Sequence, residues 1–303
     1  MTSFPSAAVL AWYARAGRAH LPWRQTRDPY RIVVSEFMLQ QTQVDRVLPL
    51  YYAFIERFPT FAALAAADAA DVVRAWRGLG YNSRAVRLHR LASVVTTEYG
   101  GTLPREAEQL RMLPGIGPYT VGAIRAFAFD ADDAALDVNV RRVVHRVAFG
   151  LELPRIASDG VIDARAREAV PAGHGHDWNS AMMDLGATVC TARAPKCLVC
   201  PLRDACAASP IDPALLAVRM RAHGKRKSPQ ETIPFERTTR FLRGRIVDRL
   251  RDLRSRETIA LAALVRDLAA VVPSDRLVEI PTVVDALVAE GLIAGNEHGI
   301  ALA

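Results

Sequence analysis

Lysine is nearly missing from this 303-residue chain: only Lys196, Lys225 and Lys227 stand among its 39 basic residues. A lysine amine that forms a Schiff base with a carbonyl is therefore excluded from everything before Lys196. Cysteine is as sparse, with four in all, too few and too clustered for a disulfide-stapled secreted scaffold. No unbroken apolar run is longer than residues 259–265, far short of the about 18–20 residues that span a bilayer. Residues 1–20 carry Arg15 and Arg18 and no apolar block ahead of a small-residue cleavage site. Export is not expected, and a cytoplasmic address is.

Half the residues are apolar and 23% are charged, enough to build a core and to fill two or three packed units. The net charge of +7 is unevenly spread. Residues 219–254 hold 12 Lys or Arg against 4 Asp or Glu, which leaves the remainder near neutral. Such a patch suits a polyanion such as nucleic acid, and equally a solvated linker.

Apolar residues recur at helical spacing through residues 4–207, without sustained alternation, so this region is expected to be all-α. Val72, Val73, Trp76 and Leu79 form one stripe, and Val86, Leu88, Leu91 and Val94 another, separated by Gly78 and Gly80. Residues 207–232 read as a basic linker. Beyond it, residues 240–253, 258–268 and 282–290 are expected helices. Residues 292–294 and 300–302 flank Gly295, Asn296 and Gly299 as a hairpin, and three short helices closed by a hairpin resemble a winged helix.

The four cysteines, Cys190, Cys197, Cys200 and Cys206, follow a C-x6-C-x2-C-x5-C spacing. In a reducing compartment such a cluster indicates metal ligation, and four thiolates suit zinc or an iron-sulfur cluster about equally. Arg193, Lys196 and Arg203 lie between the ligands, where they can meet phosphates. Gly115 and Gly117, in Leu113-Pro114-Gly115-Ile116-Gly117-Pro118-Tyr119-Thr120, allow a close turn before a helix N-terminus that can receive a DNA phosphate. An ordinary tight turn is the plainer reading. Two carboxylates stand out as well. Asp137 is placed as the N-cap of a helix running through Val144, and Glu36 lies on a helix among Val33, Val34, Phe37 and Leu39. If apolar neighbours hold one carboxyl protonated while cap hydrogen bonds keep the other ionised, the pair suits cleavage of an N-glycosidic bond. The leaving base takes a proton and the sugar develops positive charge.

The cysteine spacing resembles the 4Fe-4S loop of the endonuclease III superfamily of DNA repair glycosylases, and the glycine string resembles that superfamily's helix-hairpin-helix. Within it, Leu21-Pro22-Trp23-Arg24, residues 35–44, Gly78-Leu79-Gly80-Tyr81, residues 136–140 and residues 179–187 resemble the A/G-specific adenine DNA glycosylases, in the family's order over residues 8–208. The resemblance implies a helix-hairpin-helix glycosylase fold carrying a 4Fe-4S cluster on the four cysteines. Its iron-sulfur helical domain would comprise residues 1–24 and 135–210, its helical-barrel domain 25–134, the basic linker 211–234 and the winged-helix-like domain 235–303. It implies that Glu36 protonates the adenine leaving group and that Asp137 stabilises the cationic sugar, with Tyr119 and Asn139 assisting. Trp23, Arg24 and Asp184 would line the adenine pocket, and Gln41 and Tyr81 would be wedged into the base stack beside the orphaned partner base. The expected partner is double-stranded DNA with a mispaired or damaged base, bound by a monomer.

Val138 stands where the bacterial enzymes usually have Gly, and residues 235–303 are shorter than, and patterned differently from, the family's Nudix-like C-terminal domain. Strand-cleaving relatives have lysine where Tyr119 stands here, so a monofunctional glycosylase without lyase activity is expected. Two other functions fit parts of the pattern. A thymine or uracil mismatch glycosylase shares the hairpin, the tyrosine, the aspartate and the cysteine loop but has less use for Glu36. An iron-sulfur DNA-binding regulator needs neither carboxylate.

Overall fold

The computed structural model describes residues 3–223, 233–296 and 299–303. Its helices are α1 (Ser6–Ala16), α2 (Pro29–Leu39), α3 (Val44–Arg57), α4 (Phe61–Ala65), α5 (Ala69–Ala75), α6 (Ser83–Glu98), α7 (Ala107–Met112) and α8 (Pro118–Phe129). They continue with α9 (Val138–Phe149), α10 (Asp159–Ala169), α11 (Gly175–Thr188), α12 (Pro213–His223), α13 (Thr239–Arg251), α14 (Leu261–Leu268) and α15 (Ile280–Ala289). Strands β1 (Ile293–Asn296) and β2 (Gly299–Leu302) close the chain. Among the described residues the fold is all-α apart from this hairpin. Among the described residues no helix is long and apolar enough to cross a membrane.

The chain packs as two compact units. Among the described residues, those within 1–36, 103–112 and 116–223 form one, and those within 37–102, 113–115 and 233–303 the other. In the first unit α9 and α11 lie side by side, with α1 against α11 and α10 against α9. The one-sided stripe of α9, Val140, Val143, Val144 and Val147, shares a hydrophobic core with Trp178, Met182 and Leu185 of α11. Two glycines set the closeness of this packing. A Cβ on Gly122 of α8 would stand 2.7 Å from the Ala134 carbonyl oxygen, and one on Gly186 of α11 would stand 2.8 Å from the Asn139 Cβ.

In the second unit α4 and α5 pack on α6, burying Leu64, Val72, Leu88 and Leu91. The Phe54 ring meets Trp76 edge-on at 5.8 Å. The alanine-rich segment 62–70 is shared between two helices. Asp68 interrupts it because its carboxylate accepts the Ala70 N–H and so starts α5 afresh. The C-terminal module has the expected three helices and an antiparallel hairpin, registered Ile293 on Leu302 and Gly295 on Ile300. Leu242, Ile246, Leu264, Leu287 and Ile300 fill its interior. Its second helix starts later than the apolar pattern implies, at Leu261, because Ile259 instead bridges Ile300 as an extended residue.

The stretch read as a linker contains α12, whose Leu216 is buried; residues 224–232 lie outside the described residues. Among the described residues, five cations of the basic patch are ion-paired. Arg237 pairs with Asp275, Arg243 with Glu290, Arg245 and Arg251 with Asp248, and Arg249 with Asp267.

Candidate active site

In the first unit, α2 carries Glu36 near its C-terminal end with Val33 and Val34 wholly buried beside it. Glu36 is itself buried, so it is not the exposed helix residue that its local pattern also allows. Burial drives its pKa up to about 7, against the opposing pull of a hydrogen bond from the Tyr119 hydroxyl and of the Arg24 charge; Asp137 adds to the rise. Tyr119 is pushed well above the ordinary phenol range by burial and by the two carboxylates. The phenol thus stays neutral and donates to Glu36.

Asp137 precedes α9 and caps it. One of its oxygens accepts the backbone N–H groups of Asn139 at 2.8 Å and Val140 at 2.7 Å, and the other accepts Asn139 Nδ2 at 2.8 Å. Three donors converging on one carboxylate suit an anion. Asn139 is held in turn by Arg142, which donates to Asn139 Oδ1 at 3.0 Å, to the Gly186 carbonyl at 2.7 Å and to the Cys190 carbonyl at 3.0 Å. Val138 opens α9 with its side chain 75% exposed, so it packs against nothing that would fix Asp137. Asn179 braces the preceding loop by accepting the Ala135 N–H and donating to the Asp133 and Gly175 carbonyls.

Trp23 and Asp184 are buried. The Asp184 carboxylate is met by Arg18, through its backbone N–H at 2.7 Å and its guanidinium at 2.7 and 3.1 Å, and by Arg24 Nη2 at 3.6 Å. Arg24 lies over the Phe127 ring at 5.4 Å, and its Nη1 is buried without a partner among the described residues. A planar donor fixed by a carboxylate and an aromatic ring, with one nitrogen unused, is equipped to meet a heteroaromatic base.

The cysteine loop follows α11. Arg146 of α9, fully buried, grips Glu152 with two hydrogen bonds of 2.7 Å and reaches the Thr191 carbonyl at 2.8 Å and Cys190 Sγ at 3.5 Å. Cys190, Cys197, Cys200 and Cys206 carry no disulfide and line one hollow together with Arg146 and Leu202. Burial and the neighbouring thiols push Cys200 up to about 11 and raise Cys206 too. Among the described residues these thiols do not close on a single metal ion; four soft donors lining one hollow, each disfavouring its neighbours' charge, suit a larger cationic group. Of the cations between them, Arg203 pairs with Asp204 at 3.2 Å, and Arg193 and Lys196 are exposed.

Gly115 has φ +81°, and a Cβ there would stand 2.9 Å from the Phe37 ring. Gly117 is extended and is the N-cap of α8, with no side chain capping that end. In the second unit, Gln41 and Tyr81 occupy left-handed backbone, at φ 55° and 45°, a conformation that costs non-glycine residues on the order of 1 kcal/mol or more. Arg84 explains how they persist. Its guanidinium, buried so that its pKa falls to about 10, donates to the Phe37, Met38 and Gln40 carbonyls, to Thr42 Oγ1 and to the Leu79 and Gly80 carbonyls. One side chain therefore laces the Gln41 turn to the Tyr81 turn.

Residues 34–157 match the family described as "HhH-GPD superfamily base excision DNA repair protein". The chain is 43% identical over 251 residues to an adenine DNA glycosylase of Mycolicibacterium smegmatis, covering 80% of this chain and 79% of that one. The chain belongs to the adenine DNA glycosylase family. A human adenine DNA glycosylase is 41% identical over 66% of this chain and 38% of its own length, so the mycobacterial similarity extends over more of the chain than the human one does. Among solved structures, a thermostable thymine-DNA glycosylase is 32% identical with a TM-score of 0.62, covering 66% of this chain and 93% of that one. An endonuclease III in complex with DNA, 22% identical with a TM-score of 0.58 over 71% and 95% of the two chains, shares the fold.

For this family member, the sequence signals gather in space as two sets. Glu36, Tyr119, Arg24 and Asp137 act on one another electrostatically in one unit, and Gln41 and Tyr81 are cross-braced in the other. Sequence reading missed Arg18, Arg84 and Arg142, whose partners lie 3 to 166 residues away, up to 48 for Arg142. Only Arg84 had a nearby signal, in its closeness to the Gly78–Tyr81 motif.

Proposed function

We propose that the chain hydrolyses the N-glycosidic bond of adenine mispaired with guanine or 8-oxoguanine in duplex DNA. Family membership supplies the reaction class, a base excision repair glycosylase acting on adenine. The observation that carries the finer reading is the pairing of unlike carboxyls. Glu36 is buried with a pKa near 7, and Asp137 is held by three N–H donors. Half-protonated at neutral pH, Glu36 donates to the N7 of the extruded adenine, which turns a poor leaving group into a neutral one. Asp137 stabilises the positive charge that grows on the deoxyribose, with Asn139 keeping its orientation and Tyr119 steadying Glu36. Trp23, Arg24 and Asp184 receive the base, Gly115 and Gly117 the phosphate backbone, and Gln41 and Tyr81 fill the gap beside the orphaned base.

The four cysteines Cys190, Cys197, Cys200 and Cys206 would hold a 4Fe-4S cluster, which would cross-link the loop between them and supply no step of the hydrolysis. Tyr119 has no amine to form a Schiff base, so the strand stays intact after base loss and no covalent complex is trapped by borohydride.

The similarity to a thymine-DNA glycosylase favours a second substrate, thymine or uracil opposite guanine, for which the same aspartate serves. A pyrimidine lacks an N7, so Glu36 separates the two readings. Single-turnover assays on duplexes with A opposite 8-oxoguanine, A opposite G, T opposite G and U opposite G decide between them. Release of adenine, slowed by orders of magnitude in Glu36→Gln and Asp137→Asn, is expected. Release from the T or U mismatches alone would replace the adenine reading.

A further inference from the structure

All five arginines of α13 lie within the second unit, and four of them are ion-paired: Arg243, Arg245, Arg249 and Arg251. Arg240, in the first turn of α13, is the exception among the described residues. It is exposed, and its guanidinium has no carboxylate or carbonyl partner there. It lies instead over the Tyr81 ring, 4.2 Å from the centroid, with the Phe235 ring 5.9 Å away. The far end of the same helix is anchored to the same region. Arg251, buried, donates to the Val73 carbonyl at 3.0 Å and to Asn82 Oδ1 at 2.8 Å, so the helix is fixed at the residue next to Tyr81. Arg77 and Asp252 add an exposed ion pair at 2.5 Å.

Tyr81 is thus held from two sides of the chain. Arg84 secures its turn and lies 5.7 Å from the ring, while the C-terminal module adds a cation at closer range. We propose that Arg240 is a positioning residue for Tyr81: the C-terminal module orders the ring before DNA arrives, and so raises affinity for mismatched duplex over matched duplex. The inference rests on the reading of Tyr81 as the side chain that enters the base stack. A ring already fixed loses less freedom on insertion, and an unpaired guanidinium stacked on it remains free to face the DNA.

The test measures equilibrium binding of full-length protein, containing its cluster, to a duplex with a non-cleavable adenine analogue opposite 8-oxoguanine and to its matched counterpart. The proteins are wild type, Arg240→Ala, Arg240→Lys, Tyr81→Ala and the double variant Arg240→Ala/Tyr81→Ala. Arg240→Ala is expected to lower the mismatch-over-matched ratio roughly two- to fivefold, the scale of an exposed cation–π contact, with Arg240→Lys restoring most of it. In the Tyr81→Ala background, Arg240→Ala should have no further effect on that ratio. A ratio unchanged in Arg240→Ala, with Tyr81→Ala defective, overturns the role of Arg240 alone. An equal loss of affinity for both duplexes in both backgrounds, with the salt slope reduced by about one, overturns it in favour of a plain phosphate contact. A silent Tyr81→Ala removes the reading of Tyr81 itself, and with it the inference.

Discussion

The first unit holds its proposed reactive groups on regular structure. Glu36 is an ordinary helical residue of α2, and Asp137 is an N-cap with extended backbone at φ −86°; their distinct properties come from burial in one case and from converging N–H groups in the other. The second unit does the opposite. Gln41 and Tyr81 sit between helices in left-handed backbone, and one buried arginine with six acceptors keeps them there. Proton transfer needs a fixed position and a tuned acidity, which helices and caps provide. Entering a base stack needs side chains that project away from the packed helices, and strained turns provide that.

The comparison predicts that damage to the first unit changes rate and damage to the second changes affinity. The largest effect belongs to Glu36→Gln, which is expected to slow single-turnover base release by roughly 10²- to 10⁴-fold while mismatch affinity stays within about threefold. Asp137→Asn keeps an acceptor for the α9 cap but loses the charge, so a fall of about 10²- to 10³-fold in rate is expected with little change in melting temperature. If either variant instead loses binding and keeps its rate, the division between the units fails.

Much of this was legible in the sequence because it is local. The cysteine spacing, the glycine turn, the Asp137 cap and the C-terminal helices with their hairpin each depend on residues a few positions apart. The burial of Glu36 was not legible, since the alternation around it equally allows an exposed side chain and only the packed fold decides. The arginine braces were less legible still. Arg18 reaches Asp184 across 166 positions, and Arg142 reaches Cys190 from a helix face that looks solvated in sequence. The pairing within the basic patch was not legible either, because a charge count says nothing of Glu290 and Asp267, which reach Arg243 and Arg249 from outside α13. Arg240 is left without such a carboxylate among the described residues.

Two smaller effects sharpen the second half of the comparison. Arg84→Met leaves the carbonyls of residues 37, 38, 40, 79 and 80 without their buried donor, and is expected to destabilise the protein by about 3 kcal/mol in denaturant unfolding. Tyr81→Ala should weaken binding to mismatched duplex by about tenfold, the scale of one base-stacking contact, with the rate at saturating enzyme altered by less. A Tyr81→Ala protein that binds normally but releases base slowly would move the tyrosine into the chemistry of the first unit.

The central claim is that a buried, protonated Glu36 delivers the proton that frees adenine. Its folded-state pKa is raised to about 7, so the active, protonated form is complete at low pH and is lost as pH rises through that value. Single-turnover adenine release at saturating enzyme, followed from pH 6 to 9, is the most direct measurement. A plateau that turns down near pH 7 at about tenfold per unit, with that limb absent from the residual activity of Glu36→Gln, is the predicted result. A flat profile in the wild type, or the same descending limb in Glu36→Gln, would contradict it.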